Sequence, residues 1–376
     1  MFVKCSLDLE KCKILADSLM RMKKLQIFTL NDQKGLGLGL ASIIYNLSFS
    51  PNLILLDLGH INIGRPQDIT ETVVSLYKML RINSSVEILK LNSISQLNPS
   101  LSREFWNALG DCKSLRVLDL SESGDLSNKA RDLGSAVAFN AKRKGDLTYL
   151  NLTGTLNNNV AINNIYAGMS ISEYDEEQWY GDPNKLAKMI STNYKKEFFN
   201  KLKSLQLNYC NNLNPNFNLA HYNKLVNKVE PEFVKLLANS PNLNTLELKS
   251  TKMQKNIADI LVLALDSRRV GLKCQLKVID LSKNNLMKEG IKQLAEVLPH
   301  NQVLEVLDLS RNNIGVSGAD ELAKALKDNK SLKYLNVFNN KVSYDGAKAI
   351  AENIVANHPA LELLEIGHNR IRDKGF

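Results

Sequence analysis

The sequence predicts an α/β solenoid in which each repeat contributes one short strand and one helix. Leucine-rich segments recur every 28 or 29 residues in the last third of the chain. Each segment alternates apolar and polar residues, as a half-buried strand does. Apolar residues at offsets 0, 4, 5 and 8 then follow, and this spacing covers one face of a helix.

The repeat is clearest in its last four copies. The first of these runs from Leu276 to Leu286, and the others begin at Leu304, Leu332 and Leu361. Weaker copies extend back along the chain, with first leucine positions at Leu25, Leu53, Val86, Leu115, Leu147, Leu202 and Leu243. About eleven repeats are therefore expected. Because strand and helix alternate in a constant order, the strands should be parallel. Helices need more room than strands, so the stack should bend with the sheet on its concave face.

The pattern Leu-x-x-Leu-x-Leu-x-x-Asn-x-Leu at this period resembles the ribonuclease-inhibitor-like leucine-rich repeat. The resemblance implies a horseshoe solenoid that binds proteins. The composition, rich in Asn and Lys and poor in Pro, also resembles the leucine-rich-repeat effectors of Legionella-type intracellular bacteria. This second resemblance implies a virulence effector that is secreted and acts in the host cytosol.

The repeats extend over the chain, so we expect a single solenoid over residues 1–376, with residues 1–24 as an N-terminal partial repeat. Two intervals exceed the period, at 55 residues from Leu147 to Leu202 and 41 residues from Leu202 to Leu243. We assign the extra residues to insertions at about 156–183 and 211–230. In the repeat that begins at Leu147, we place the helix after the insertion, at 184–199. Both insertions should leave the same rim and meet in space. The chain stops where a further helix should begin, so we expect a truncated C-terminal repeat.

One asparagine position should hydrogen-bond the backbone of the turns, because buried backbone groups need partners. Asn284, Asn312, Asn340 and Asn369 occupy it in the last four repeats. Cys210 occupies the same position in an earlier repeat, so we expect it to replace the asparagine.

Composition and motifs narrow the function classes. The chain has 376 residues, 44% of them hydrophobic, and a net charge of +9. No apolar run reaches the roughly 18 residues of a membrane span, and no N-terminal signal peptide is visible. We therefore expect a cytoplasmic chain, or an effector exported without such a signal. We expect a monomer that contacts no membrane. Nucleic acid is not an expected partner, because the lysine-rich surface lacks interleaved aromatic residues.

No catalytic residue, cofactor or metal site is predicted. The chain contains no HExxH or G-x-S-x-G motif and no cysteine protease constellation. The five cysteines are scattered without a CxxC pair, which predicts neither a disulfide framework nor a zinc site. The run of glycines from Gly35 to Gly39 lacks the spacing of a nucleotide-binding loop and fits the helix of its repeat.

The candidate binding site is the concave face. The residue between the second and third leucines of each repeat should point out of this face, because strand side chains alternate. Six of these eleven residues are acidic and one is basic, although the whole chain is positive. Neighbouring aromatic and charged residues, and one tryptophan of the first insertion, complete the site. The predicted partner-binding residues are Asp57, Asp119, Glu122, Tyr149, Tyr209, Glu247, Asp280, Lys283, Asp308, Arg311, Tyr334, Phe338, Glu365 and Trp179.

These observations predict a noncatalytic protein–protein interaction scaffold whose partner presents a basic surface. The alternative is a GTPase-activating or other enzyme-regulating leucine-rich-repeat protein, since one eukaryotic family with this repeat type has that role. Such a role usually needs an arginine that reaches the nucleotide. Arg65 and Arg103, on early rim segments, are the candidates.

Overall fold

The structure is a computed structural model that describes residues 2–3, 7–158, 160–169, 202–210, 232–251, 255–266, 268, 274–355 and 358–371. The chain forms two compact units. Unit 1 comprises Met1–Asp119, Asn128–Thr148 and Asn163–Lys201, and unit 2 comprises Leu120–Ser127, Tyr149–Ile162 and Leu202–Phe376.

One strand lies in each predicted repeat, and it begins two residues after the first leucine of that repeat. A further strand, β1, precedes them. The strands are β1 Phe2–Val3, β2 Ile27–Asn31, β3 Leu55–Asp57, β4 Ile88–Lys90, β5 Val117–Asp119, β6 Tyr149–Asn151, β7 Ser204–Gln206, β8 Thr245–Glu247, β9 Val278–Asp280, β10 Val306–Asp308, β11 Tyr334–Asn336 and β12 Leu363–Glu365.

Helices follow the strands, as the periodicity predicts. They are α1 Leu9–Arg21, α2 Leu38–Leu47, α3 Pro66–Ile82, α4 Arg103–Asp111, α5 Ala130–Lys142, α6 Ala161–Met169, α7 Glu232–Ala238, α8 Lys255–Leu265, α9 Met287–Ala295, α10 Gly315–Leu326 and α11 Ser343–Ile350. In α10, Gly318, Leu322, Ala323 and Leu326 are buried, at the offsets 0, 4, 5 and 8 that the sequence indicates. None of the described helices is long and apolar enough to cross a membrane.

Each unit has one strand order. In unit 1, β1 to β5 lie in chain order, and each is parallel to the next. In unit 2, β6 to β12 do the same. Consecutive helices pack side by side, α1 to α5 in unit 1 and α7 to α11 in unit 2. The predicted leucine-rich-repeat solenoid fold is therefore confirmed.

The asparagine ladder of the last four repeats is present. Asn312 is buried, and its Nδ2 donates to the carbonyl oxygens of Leu281 and Leu309 at 2.9 and 3.0 Å. Its Oδ1 accepts from the backbone N–H of Asn284 at 2.9 Å. In the earlier repeat, Cys210 Sγ donates to the Leu152 carbonyl at 3.1 Å, so the sulfur replaces the amide as predicted.

A second set of buried asparagines, which the sequence analysis did not predict, lies where the helices return to the sheet. Asn329 Nδ2 donates to the carbonyl oxygens of Leu298 and Asn301 at 2.7 and 2.8 Å. Its Oδ1 accepts from the N–H groups of Ser331 and Leu332, each at 2.9 Å. Equivalent bonds are made by Asn83, Asn140 and Asn301. Both edges of a repeat therefore use side-chain amides to satisfy buried backbone groups.

Part of the range predicted as the first insertion packs as a helix against the preceding repeat. Leu156, the first residue of the predicted insertion, is buried, and α6 lies inside the predicted range of 156–183. This helix packs closely on α5, because a Cβ on Gly134 would overlap the carbonyl oxygen of Ile165. It thus occupies the position that a repeat's helix takes after its strand. The predicted helix at 184–199 and the insertion at 211–230 lie outside the described residues.

Candidate functional site

The sheet face is the surface that the strands, and the loop residues that follow them, present away from the helices. In β10, Leu307 is buried, whereas Val306 and Asp308 are half-buried. The same alternation occurs in the neighbouring strands of unit 2, as strand geometry requires.

A row of acidic residues crosses the sheet face of unit 2. Glu247, Asp280 and Asp308 pair in register on β8, β9 and β10. Adjacent strands lie about 4.8 Å apart, so these three carboxylates are neighbours. Asn336 interrupts the row on β11, and Glu365 resumes it on β12. We refer to Glu247, Asp280, Asp308 and Glu365 as the acidic row.

Backbone N–H groups hold the two aspartates of this row. Asp280 Oδ1 accepts from the N–H of Ser282 at 2.8 Å, and Asp308 Oδ1 accepts from the N–H of Ser310 at 2.7 Å. Asn336 Nδ2 donates to Asp308 Oδ2 at 3.2 Å. The aspartates therefore have a structural role in the turn as well as a position on the surface.

No cation neutralises the charge of Glu247, Asp280 or Asp308 among the described residues, because the groups that donate hydrogen bonds to these carboxylates are neutral. Both carboxylate oxygens of Glu247 accept hydrogen bonds of 2.6 Å, from the side-chain amides of Gln206 and Asn208. Among the residues that the structure describes, no ion pair includes Glu247, Asp280 or Asp308. Burial raises the pKa of Asp308, and the negative charge of Asp280 raises it further.

Aromatic and cationic side chains lie together at the C-terminal end of the acidic row. The ring centroids of Phe338 and His368 are 4.7 Å apart, and Arg311 Cζ lies 5.9 Å from the Phe338 centroid. Burial, followed by a hydrogen bond with Glu365, raises the pKa of Tyr334 to about 12. The Tyr334 hydroxyl therefore stays protonated at neutral pH. We refer to Arg311, Tyr334, Phe338 and His368 as the aromatic cluster.

Four predicted site residues have left-handed backbone. The φ angles of Glu122, Tyr209, Lys283 and Arg311 are 56°, 56°, 58° and 58°. This conformation directs each N–H group to a carbonyl of the next repeat, as in the 2.9 Å bond from Arg311 to Phe338. It costs a residue other than glycine roughly 1–2 kcal/mol.

A row of ion pairs, which the sequence analysis missed, precedes the strands. Glu305 lies between Lys277 Nζ at 2.9 Å and Lys333 Nζ at 2.8 Å. Hydrogen bonds from Lys333 and then from Lys277 lower the pKa of Glu305 to about 2. The alternation of Lys277, Glu305, Lys333 and Glu362 at the repeat period was the signal in the sequence. These charges compensate one another, unlike those of the acidic row.

The remaining predicted residues are placed as follows. Asp57 and Asp119 lie on β3 and β5 of unit 1, with Lys90 in register between them on β4. Arg65 directly precedes α3, and Arg103 is the first residue of α4.

Tyr149 lies on β6 of unit 2, in register with Ser204. Trp179 lies outside the described residues. Within the described part of the chain, no group of three or more His, Cys, Asp and Glu side chains could hold a metal ion.

The parallel strands, the helices that follow them and the repeated leucine pattern together define a leucine-rich-repeat fold. A family model described as Leucine Rich repeat matches residues 300–323 and 328–351. These two segments contain β10 and β11 with residues of the helices that follow them. No curated protein matches the chain.

Several solved structures are similar to the chain at low sequence identity. An internalin (inlF) from Listeria monocytogenes str. 4b F2365 is 14% identical, with a TM-score of 0.41, over 97% of this chain and 89% of the internalin. A chain of the Rad7 and Elc1 complex in yeast is 12% identical, with a TM-score of 0.36, over 98% of this chain and 86% of that one. The TLR13-ssRNA13 complex is 16% identical, with a TM-score of 0.34, over 90% of this chain and 42% of that one.

Proposed function

We propose that the chain is a noncatalytic, monomeric interaction scaffold whose sheet face in unit 2 binds a protein with a basic surface. The observation that carries this proposal is the acidic row, in which three adjacent carboxylates lie in register without a cationic partner among the described residues. In a chain with a net charge of +9, this local excess of negative charge favours a partner of opposite sign.

The acidic row and the aromatic cluster would contribute differently to binding. Carboxylates on an open face accelerate encounter with a basic partner and lose this effect as salt rises. Aromatic and arginine side chains stabilise the formed complex through buried contact area. Because the strands already hold these side chains, little ordering free energy is lost on association.

Two finer assignments belong to this proposal. Helices after each strand of the 28-residue repeats support the ribonuclease-inhibitor-like subtype. The composition supports a secreted effector that acts in a host cell. A translocation reporter fused to the chain tests the second assignment. Reporter signal in the host cytosol would support it, and signal confined to the bacterium would contradict it.

Affinity capture followed by kinetic measurement tests the binding site. The partner captured by the parent protein is measured against Asp280→Asn/Asp308→Asn at two salt concentrations. We expect a lower association rate at low salt and a smaller difference at high salt, because screening acts within about 8–10 Å. Tyr334→Ala/Phe338→Ala should instead raise the dissociation rate.

A matched control removes two carboxylates from the helix side of the same repeats. Glu289→Gln/Glu321→Gln changes the net charge equally but leaves the sheet face intact. It should bind with the parent's rates. Equal losses in the control and in Asp280→Asn/Asp308→Asn would show a general charge effect and would contradict the proposed site.

A further inference from the structure

The helix side of unit 1 contains a helix without charged residues. Helix α2 packs between α1 and α3, and both neighbours carry several charged side chains. In contrast, the sequence from residue 35 to residue 56, which includes α2, has no charged residue. A surface helix normally presents charged or polar residues to water, so the composition of α2 indicates that its outer face serves another purpose.

The outer face of α2 is the floor of a groove of about 770 Å³. Leu38, Ala41 and Tyr45 line it from α2, and residues of α1 and α3 form its walls. Small side chains contribute to its lining, Ala16 from α1, Ala41 and Ser42 from α2, and Ser75 from α3. Gly39 also brings α2 close to α1, since a Cβ on this glycine would lie 2.5 Å from Cys12 Cβ.

Large apolar side chains are exposed along this floor. Leu38 is 46% exposed and Tyr45 is 44% exposed, although Ile43 and Ile44 on the inner face are fully buried. Leu38 and Tyr45 lie two turns apart, about 10 Å along the helix axis. Phe49 extends the stripe beyond the helix, with its ring centroid 5.4 Å from that of Tyr45. Exposed apolar side chains grouped on one face of a helix are typical of a docking surface.

The walls of the groove carry an excess of negative charge. Three carboxylates, those of Asp17, Asp68 and Glu71, line it, together with the cations Lys13 and Arg65. In the described part of the chain, none of these three carboxylates forms an ion pair. A ligand with apolar residues and adjacent positive charge therefore complements both the floor and the walls.

We propose that this groove binds an amphipathic helix of a partner protein, with apolar residues at i, i+4 and i+7 and basic residues beside them. Such a helix extends its anchors over the same length of roughly 10 Å that separates Leu38 from Tyr45. The groove lies among helices of unit 1, whereas the proposed sheet-face site lies on strands of unit 2. The two proposals therefore stand or fail independently.

Fluorescence anisotropy with two synthetic helical peptides tests this proposal. Both peptides carry leucines at i, i+4 and i+7, and they differ only in having lysines or glutamates beside them. We expect the lysine peptide to bind the parent protein at least about tenfold more tightly than the glutamate peptide. Tyr45→Ser should weaken binding of the lysine peptide by about tenfold, and Asp68→Lys/Glu71→Lys should reverse the preference.

Matched variants separate the groove from general effects. Tyr344→Ser removes a similarly exposed tyrosine, at 38%, from helix α11 of unit 2 and should bind as the parent does. Glu289→Gln/Glu321→Gln, which changes two helix residues of unit 2, should also leave peptide binding unchanged. Circular dichroism of each variant confirms that it is folded. Equal binding of the two peptides, or an unchanged affinity in folded Tyr45→Ser, would overturn the proposal. So would a parent dimer that Tyr45→Ser dissociates, because a second copy would then occupy the groove.

Discussion

Left-handed backbone in the loops after strands β2 to β12 gives the site residues an unusual conformation. Arg311 and Lys283 have φ angles of 58°, and Asn339 takes the equivalent position at 54°. Asparagine adopts this region at lower cost than arginine or lysine. A long cationic side chain at such a position is therefore not explained by stability, and its exposure on the sheet face is consistent with a role in binding.

Arg311→Asn should separate stability from binding. Relief of backbone strain offsets the lost contact between the guanidinium and Phe338, so the free energy of unfolding should change by less than about 1 kcal/mol. Partner dissociation should become faster. Urea denaturation and dissociation kinetics measure the two effects. The control Lys341→Asn, whose φ is 61°, relieves the same strain outside the aromatic cluster and should leave dissociation unchanged.

Asn312 provides a prediction for the ladder. Asn312→Ala leaves the Leu281 carbonyl and the Asn284 N–H without their partner, at about 1–3 kcal/mol for each buried group. Asn312→Thr should be less destabilising, because Thr155 and Thr251 occupy the position in earlier repeats. Thr155 Oγ1 donates to the Leu152 carbonyl at 2.7 Å. Equal free energies of unfolding for the two variants would contradict a hydrogen-bonding role.

At the scale of the strands, the acidic row combines a structural and a functional contribution. The turn after β9 or β10 needs a side-chain oxygen at the end of the strand that accepts a hydrogen bond from the backbone N–H two residues later. Aspartate and asparagine can both supply this oxygen. On β11, Asn336 Oδ1 accepts from Phe338 in this way at 2.9 Å. The turn therefore accounts for the position of Asp280 and Asp308 but not for their charge. The charge is the part that the proposed binding function explains.

Asp308→Asn should stabilise the fold at neutral pH. The raised pKa of Asp308 means that the folded chain holds this proton more tightly than the unfolded chain. The free energy of unfolding should therefore increase as pH falls from neutral through the raised pKa of the folded state towards the ordinary value of 3.8. This additional stability should disappear as pH rises through the pKa of the folded state. Asparagine removes the disfavoured charge and keeps the oxygen that accepts from Ser310. Thermal unfolding of the parent and the variant across about pH 3–7, a range that spans ordinary carboxyl pKa values and raised ones, measures this change in stability. A variant less stable than the parent at pH 7 would contradict the prediction.

At the scale of the whole chain, periodic features were predictable and non-periodic ones were not. Each of strands β2 to β12 begins two residues after the first leucine position of its repeat, which Val86 occupies in the repeat of β4, because alternation and spacing recur in every copy. Cys210 was also predictable from its place in the repeat. The position of α6 was missed because the 55-residue interval can be divided in more than one way, and only the packing of Gly134 on α6 decides.

The acidic row was predictable in part. Strand alternation placed Asp280 and Asp308 on one face, but the neutral hydrogen bonds that leave their charge uncompensated depend on side-chain packing. Left-handed backbone at Tyr209 and Arg311 was missed although Gly154 and Asn339 occupy equivalent positions. The groove over α2 was missed because it depends on which side chains three neighbouring helices bring together, and a repeat pattern does not specify these.

Hydroxyl-radical footprinting of side chains in the partner complex directly tests whether the partner binds the sheet face of unit 2. Tyr334 and Phe338 lie on the sheet face of one repeat, and Tyr344 lies on the helix side of the same repeat with 38% of its surface exposed. If the sheet face of unit 2 is the binding site, the partner should protect Tyr334 and Phe338 from oxidation and leave Tyr344 as reactive as in the free protein. Protection of Tyr344 with unchanged oxidation of Tyr334 and Phe338 would contradict the assignment.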